Sequence, residues 1–99
     1  AVFQCNSYTR AKTLKDKYGL SFGAVDCVLV PDIYPGRDID TGEIHATDLV
    51  AAITPNAKQC EYIATFEEIN VYLDGHVSEG DLVITLGSGD VYRQTKKLL

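Results

Sequence analysis

The 99-residue sequence contains no methionine, only two histidines and only three cysteines. Because an intact natural protein normally begins with methionine, we expect this chain to be a piece of a longer one. Cys5, Cys27 and Cys60 are odd in number and lack CxxC spacing, so we expect reduced thiols, as in a cytoplasmic protein, rather than a disulfide framework or a zinc site. His45 and His76 lie far apart with no second ligand at metal-binding spacing, and we therefore predict no metal site.

Basic residues are also scarce, since 9 Lys and Arg stand against 14 Asp and Glu and give a net charge of −5. Nucleic-acid backbones are bound by clustered Lys and Arg, so this balance argues against a nucleic-acid-binding face. No apolar run approaches the roughly 20 residues that a membrane-spanning helix needs. The length fits one domain, and a hydrophobic fraction of 45% is typical of a globular chain with a single core.

Four short apolar runs are present, and each is bounded by turn-forming or charged residues. Segments with helical spacing separate them, so the predicted order is β-α-β-α-β-α-β-α. This alternation is typical of an α/β fold, a Rossmann-like parallel β-sheet with right-handed crossovers and helices on both faces. The second and fourth runs are almost entirely apolar, which predicts strands covered on both faces. The runs are AVFQC at 1–5, DCVLV at 26–30, CEYIA at 60–64 and DLVITLG at 81–87.

Four helices are predicted between and after these strands. In the first, apolar residues share one face, and Gly19 either lies inside the helix at a cost of about 1 kcal/mol relative to Ala or ends it. The second begins near His45 or Thr47, either of which is a plausible cap. The third has Thr65 as its N-cap and Gly75 as its stop signal. The predicted helical segments are 11–22, 45–53, 65–76 and 88–99.

Polar segments follow all four predicted strands, and ligands of parallel α/β sheets bind outside the carboxyl ends of the strands. Arg10 follows the first strand, close to a helix N-terminus where a positive charge is unfavourable. Its guanidinium either binds a carboxylate or phosphate or is simply solvated. The turn that begins at Gly87 runs into the last helix, and it forms either an anion site built from backbone N–H groups or a tight turn. The segments are NSYTR at 6–10, PDIYPGRD at 31–38, TFEE at 65–68 and GSGD at 87–90.

The irregular segment 31–43 is longer than a typical connection between a strand and a helix, and such loops in compact domains are often functional. It contains Asp32, Tyr34 and Arg37, although it equally fits a rigid loop in which Arg37 pairs with a neighbouring aspartate. No P-loop, complete GxGxxG motif or nucleophile elbow occurs in the sequence. The residues alone therefore predict an α/β domain with an edge that favours anions.

Three segments together resemble the C-terminal domain of the Mur ligases. The family patterns are FQPH-x-Y-[ST]-R-T, D-I-Y-x-A-R-E and G-D-L-V-L-T-x-G-A-G-[DN]. Their order and separation agree with this chain, and the match spans nearly its whole length. The matching segments are VFQCNSYTRAKTL at 2–14, VDCVLVPDIYPGRD at 25–38 and GDLVITLGSGDVYRQTKKLL at 80–99.

The resemblance implies that residues 1–99 form the amino-acid-binding domain of an ADP-forming amide ligase of peptidoglycan synthesis. Such a ligase joins L-alanine to UDP-N-acetylmuramate through an acyl phosphate, with ATP and Mg²⁺ in the full-length enzyme. The implied partners are the central ATPase and N-terminal UDP-binding domains of the same chain, without which the segment is not expected to be active. Two alternatives stay open: a ligase that recycles intact murein peptides onto the same UDP-muramic acid, and a non-catalytic α/β binding module.

The family motif also implies roles for individual residues. Arg10 aligns with the arginine expected to bind the α-carboxylate of the amino acid, and Asn6 stands where the family usually has histidine. No catalytic residue is assigned to this segment. The residues expected to shape a domain interface are Asp32, Tyr34 and Arg37. The implied amino-acid-binding residues are Asn6, Arg10, Gly87, Ser88 and Gly89.

Overall fold

A computed structural model of the chain describes residues 1–35, 39 and 42–87. Strands and helices alternate along these residues in the predicted order. The elements are β1 (Val2–Phe3), α1 (Tyr8–Gly19), β2 (Val28–Val30), α2 (Ala46–Ile53), a 3-10 turn (Thr54–Asn56), β3 (Cys60–Tyr62), α3 (Phe66–His76) and β4 (Thr85–Leu86). The four strands form one parallel sheet in the order β3-β2-β1-β4, so the predicted α/β fold is confirmed.

Side chains of the central strands alternate between the two faces of the sheet. Phe3, Val28 and Val30 pack into the cluster that contains residues of α1 and α2. Val2 and Leu29 point the other way and pack against α3. Because neighbouring residues of a strand point to opposite faces, each central strand contributes to both layers. Helices therefore cover both faces, as predicted, and all three residues of β2 are buried.

The helix α1 ends at Gly19, where it packs against α2. A Cβ atom built on Gly19 would lie 2.6 Å from the carbonyl oxygen of Ala52, so only glycine fits this approach of the two helices. Phe22, expected on the same helical face, lies in the turn that follows, and its ring centroid is 5.2 Å from that of Phe3. Of the two possibilities that the sequence left open, Gly19 is thus the end of the helix.

Capping interactions define where α2 and α3 begin. His45 is the N-cap of α2, and its backbone N–H donates to the Asp48 carboxylate at 2.9 Å. The predicted N-cap of α3 is confirmed, because the Thr65 hydroxyl accepts a hydrogen bond from the Glu68 N–H at 3.3 Å, an interaction worth about 1 kcal/mol. The predicted end of α3 at residue 76 is confirmed, although Gly75 lies inside the last turn rather than after it.

The strand β4 is shorter and more exposed than its sequence predicts. It comprises only Thr85–Leu86, and in the described part of the chain it pairs with β1 alone. Leu82 and Ile84 are 81% and 46% exposed. The almost continuously apolar run predicted a strand covered on both faces, but a strand at the edge of a sheet has a neighbour on one side only. The helix predicted at 88–99 lies outside the described residues.

The direction of winding reverses between β3 and β4. The chain moves outwards from β1 through β2 to β3 with α1 and α2 on one face, and α3 then crosses the other face to bring β4 beside β1. Phe3 pairs with Leu86 at the ends of these two strands. In open α/β sheets, the crevice at such a reversal is where ligands bind.

Candidate functional site

The turn after β1 is held by backbone hydrogen bonds to the loop after β2. The Ser7 N–H donates to the Tyr34 carbonyl at 2.6 Å, and the Tyr34 N–H donates to the Cys5 carbonyl at 2.9 Å. These bonds flank a parallel bridge between Asn6 and Tyr34. The segment that begins at Asn6 and the described start of the loop after β2, residues 31–35, therefore meet at one edge of the sheet.

Ser7 occupies a strained backbone conformation at this turn. Its φ angle is +83°, in the left-handed region that residues other than glycine rarely adopt. Such strain costs on the order of 1–3 kcal/mol and persists only where the surroundings enforce it. The Ser7 hydroxyl also caps α1 by accepting from the Arg10 N–H at 3.2 Å. The strained turn thus sets both where α1 begins and where Arg10 lies.

Arg10 lies in the first turn of α1 with an exposed side chain. The first turn contains no acidic residue. The ion pairs found among residues 1–35, 39 and 42–87 involve Lys12 with Glu43 and Lys58 with Asp26, and neither engages Arg10. Its guanidinium is therefore open to an anionic ligand from outside these residues.

A pocket of about 320 Å³ lies at the carboxyl ends of β1 and β4. Its apolar side includes Phe3 and Tyr18, whose ring centroids are 5.0 Å apart. Its polar side includes Arg10 and two residues with side-chain amides, Gln4 and Asn6. The complete lining is Phe3, Gln4, Cys5, Asn6, Arg10, Tyr18 and Gly87. The pocket thus combines one cation with amide groups and an apolar wall, a composition that suits a small polar ligand carrying a negative charge.

Gly87 reaches this pocket from β4. Its φ angle is +142°, which favours glycine over residues with a side chain. The preceding residue is fixed to β1, because the Gln4 N–H donates to the Leu86 carbonyl at 3.0 Å. The structure therefore brings Asn6, Arg10 and Gly87 together, while Ser88 and Gly89 lie outside the described residues.

The loop residues expected at a domain interface have distinct surroundings. The Asp32 carboxylate accepts a hydrogen bond from the Tyr62 hydroxyl, and its backbone N–H donates to the Ala64 carbonyl at 3.1 Å. The Tyr34 side chain is 36% exposed. Arg37 lies outside the described residues. Asp32 and Tyr34 are thus at the same strand edge as the pocket but do not line it.

The sequence did not identify Gln4 and Tyr18 as pocket residues. Gln4 is 8% exposed, and its Nε2 donates to the Asp32 carbonyl at 3.2 Å. Its Oε1 atom is buried and has no hydrogen-bond partner among the described residues, and the same holds for Asn6 Oδ1. A glutamine inside an apolar run was the available signal, because a buried amide needs partners that a strand alone does not provide.

Cys5 forms part of the pocket wall and is buried, with 2% of its surface exposed. Burial raises the pKa of its thiol, and the Tyr18 hydroxyl and the Arg10 charge oppose that rise only in part. The thiolate is the reactive form of cysteine, so little of Cys5 is nucleophilic at neutral pH. The described geometry therefore favours a binding site rather than a cysteine nucleophile.

We expect Cys5 to resist alkylation in the folded protein. The test uses a variant in which Cys27 and Cys60 are replaced by serine. At neutral pH, iodoacetamide should modify Cys5 far more slowly in the folded variant than in the same variant unfolded by denaturant. Burial keeps the reagent away from the thiol, and the raised pKa leaves little of it as thiolate. The reaction is followed by mass spectrometry. Equal rates in the two conditions would contradict the buried, protonated thiol.

A second pocket, of about 340 Å³, lies at the amino ends of the strands. Its lining includes Asp26, Tyr72 and His76, and the Tyr72 and His76 rings stack with centroids 3.9 Å apart. None of the predicted site residues in the described part of the chain lines it. Among residues 1–35, 39 and 42–87, no helix is both long and apolar enough to cross a bilayer.

The fold is a doubly wound parallel α/β domain with a pocket bordered by Arg10 where the winding reverses. No family model matches the chain. The chain is 46% identical over 92 residues, 93% of its length, to UDP-N-acetylmuramate–L-alanine ligase of Acetivibrio thermocellus. It is 40% identical over 99 residues to the enzyme of that name from Caldanaerobacter subterraneus subsp. tengcongensis, and 41% identical over 92 residues to that from Clostridium novyi.

These similarities confirm the resemblance to the Mur ligases. The chain is a homologue of a segment of UDP-N-acetylmuramate–L-alanine ligases, and its α/β fold is that of a Mur ligase C-terminal domain. It spans 20–22% of the length of these three curated relatives.

Proposed function

We propose that residues 1–99 are the amino-acid-binding domain of a cytoplasmic, ATP-dependent ligase that joins L-alanine to UDP-N-acetylmuramate. The observation that carries the proposal is the position of Arg10. Among the described residues its guanidinium has no ion-pair partner, and it borders a small pocket at the reversal of winding, in a chain related to ligases of that name. The reaction is an amide synthesis in which this domain holds the amine-bearing substrate.

Arg10 binds the α-carboxylate of the amino acid in this proposal. A guanidinium offers planar, paired N–H donors that match the two oxygens of a carboxylate. A cation in the first turn of a helix opposes the helix dipole by roughly 0.3–1 kcal/mol. A carboxylate placed between the guanidinium and the helix N-terminus would interact favourably with both. Ligand binding thereby explains why a cation lies at this otherwise unfavourable position.

Asn6 and the turn at 87–89 complete the proposed amino-acid site. The Asn6 amide offers both a donor and an acceptor but carries no charge, so it orients a ligand without acting as an acid or base at neutral pH. Gly87 has no side chain, so a ligand in the pocket can approach its backbone closely. Ser88 and Gly89 follow it in sequence, and we propose that their backbone N–H groups face the same carboxylate.

The activating chemistry belongs to the rest of the ligase. When bound there, ATP with Mg²⁺ supplies the phosphoryl group that converts the muramic acid carboxylate into an acyl phosphate. Among residues 1–35, 39 and 42–87, no group of three His, Cys, Asp or Glu side chains is arranged to hold a metal. In this proposal the domain binds and orients the amino acid, which accelerates the reaction by positioning. Asp32, Tyr34 and Arg37 are proposed to face the central ATPase domain, with the UDP-binding domain beyond it.

The test is turnover by the full-length protein that contains this segment. With UDP-N-acetylmuramate, ATP and Mg²⁺ present, ADP release should depend on added L-alanine, and the product should gain the mass of one alanyl residue. The 99-residue chain alone serves as the control and should release no ADP. Activity with an intact murein peptide but not with L-alanine would instead support the recycling ligase, and no ADP release with either would favour a non-catalytic module.

A further inference from the structure

Cys5 lies where β1 leaves the sheet, and it contacts both segments that meet there. Its carbonyl accepts the Tyr34 N–H at 2.9 Å, which joins it to the loop after β2. Its buried thiol donates to the Ser7 carbonyl at 3.9 Å. That carbonyl also accepts the Ala11 N–H at 3.1 Å, a backbone hydrogen bond of the first turn of α1. The thiol is therefore hydrogen-bonded to the residue at which the helix begins.

Tyr18 reaches the same thiol from the far end of α1. Its ring packs on Phe3 with centroids 5.0 Å apart, and both residues line the pocket together with Cys5. Burial raises the pKa of Cys5, and a hydrogen bond from the Tyr18 hydroxyl opposes part of that rise. The hydroxyl is thus the donor and the sulfur the acceptor, because such a bond favours the thiolate. A chain of two hydrogen bonds runs from Tyr18 through Cys5 to Ser7.

The hydroxyl of Tyr18 is explained by this contact and not by packing. A phenylalanine would place the same ring against Phe3, so packing alone does not require an O–H group at this position. Tyrosine hydroxyls that leave water ordinarily find a hydrogen-bond partner, because an unpaired polar group is costly to bury. A thiol is both a weak donor and a weak acceptor, so Cys5 can accept from Tyr18 while it donates to Ser7.

The turn that these contacts support is strained. Ser7 has a φ angle of +83°, and a residue with a side chain stays in that region only where its surroundings hold it there. Its hydroxyl accepts from the Arg10 N–H at 3.2 Å and so caps α1. A change in the backbone of Ser7 would therefore move the first turn of the helix, and Arg10 with it. A paired, charge-assisted contact depends on geometry, so such a movement would weaken ligand binding.

We propose that Cys5 and Tyr18 are positioning residues, which hold the Ser7 turn through the thiol and thereby place Arg10 at the edge of the pocket. Neither side chain has to touch the ligand in this role. The inference rests on the proposed function, because Arg10 is taken there to bind the carboxylate of the amino acid. It adds that two uncharged side chains, one of them ten residues along the helix from the turn it supports, determine how well Arg10 does so.

The first test is Tyr18→Phe in the full-length ligase, which removes the hydroxyl and keeps the ring. We expect the KM for L-alanine to rise roughly three- to tenfold, the effect of one neutral hydrogen bond, while kcat and the KM for ATP stay unchanged. Cys5→Ala should have an effect of similar size, and Cys5→Ser, which keeps a donor and an acceptor, should recover part of it. An unchanged KM for L-alanine in Tyr18→Phe, or an equal rise in both KM values, would overturn the inference.

Two double variants test whether the residues act through one another. Tyr18→Phe combined with Cys5→Ala should raise the KM for L-alanine no further than either change alone, because both interrupt the same chain of hydrogen bonds. Tyr18→Phe added to Arg10→Ala should have no further effect, since no guanidinium remains to be positioned. Additive effects in either combination would mean that the residues act independently and would contradict the proposed role. KM does not depend on the concentration of active enzyme, so a partly unfolded variant still reports it.

The Arg10→Ala variant alone separates this inference from the function on which it rests. If Arg10→Ala raises the KM for L-alanine and Tyr18→Phe does not, the inference about Cys5 and Tyr18 is wrong and the proposed site stands. If Arg10→Ala leaves that KM unchanged, the proposed amino-acid site itself is wrong.

Discussion

Replacing Arg10 by alanine in the full-length ligase is expected to raise the KM for L-alanine by roughly a hundredfold and to leave the KM for ATP unchanged. The guanidinium borders the pocket and has no ion-pair partner among the described residues, so its loss removes a ligand contact rather than a structural one. A bidentate, charge-assisted contact with a carboxylate is worth about 3 kcal/mol at the upper end, which corresponds to that change in affinity.

The matched control is Lys12→Ala. Lys12 is a cation on the same helix, but it is paired with Glu43 and does not line the pocket. Its loss should leave both KM values unchanged, since an exposed surface ion pair contributes little. Arg10→Lys should recover part of the affinity, because it keeps the charge but not the planar pair of donors. Equal effects of Arg10→Ala on the KM values for L-alanine and ATP would remove Arg10 from the amino-acid site.

Replacing Gly19 by alanine is expected to destabilise the domain by about 2–4 kcal/mol, the range of severe overpacking. Glycine at a helical position is ordinarily less stable than alanine by about 1 kcal/mol, so helix propensity alone predicts the opposite sign. The added Cβ would lie 2.6 Å from the Ala52 carbonyl oxygen, and a backbone atom cannot turn away as a flexible side chain can. Helices α1 and α2 would have to separate.

Gly75→Ala is the control for this substitution. Gly75 lies in α3, and a Cβ atom added there would have no neighbouring atom within 4 Å, so the same change should stabilise by about 0.5–1 kcal/mol. Urea unfolding of both variants, with slopes compared to exclude changes in the denatured state, measures the difference. A Gly19→Ala variant as stable as its Gly75→Ala counterpart would show that the two helices do not pack as described.

Much of the fold could be predicted from local patterns. Alternating short apolar runs and helical spacing predicted the order of elements, and the almost entirely apolar run at 26–30 predicted a strand buried on both faces, as found for β2. Thr65 followed by acidic residues predicted the start of α3. These features depend on residues near one another in sequence, where backbone geometry and side-chain period are decisive. Arg10, at the exit of the first strand, was selected by the same kind of reasoning.

The site itself depends on contacts between distant residues. Sequence reasoning placed the segments of Asn6, Tyr34 and Gly87 at one edge of the sheet without specifying their contacts, and it marked Gly19 as a costly helix residue or a helix end. No local pattern specifies that Asn6 bridges to Tyr34 or that Gln4 donates to the Asp32 carbonyl. Arg37, Ser88 and Gly89 remain predictions from the sequence.

Local composition determined the elements, the faces they bury and the polar residues that end each strand. Tertiary structure alone decided which strands are neighbours, because the crossover through α3 packs on the opposite face from α1 and α2 and returns β4 to the side of β1. The position of β4 in the sheet depends on the apolar surface buried on both faces of the sheet, and not on the residues of β4 alone. It brings Gly87 beside Arg10, and so turns two polar strand ends into one pocket.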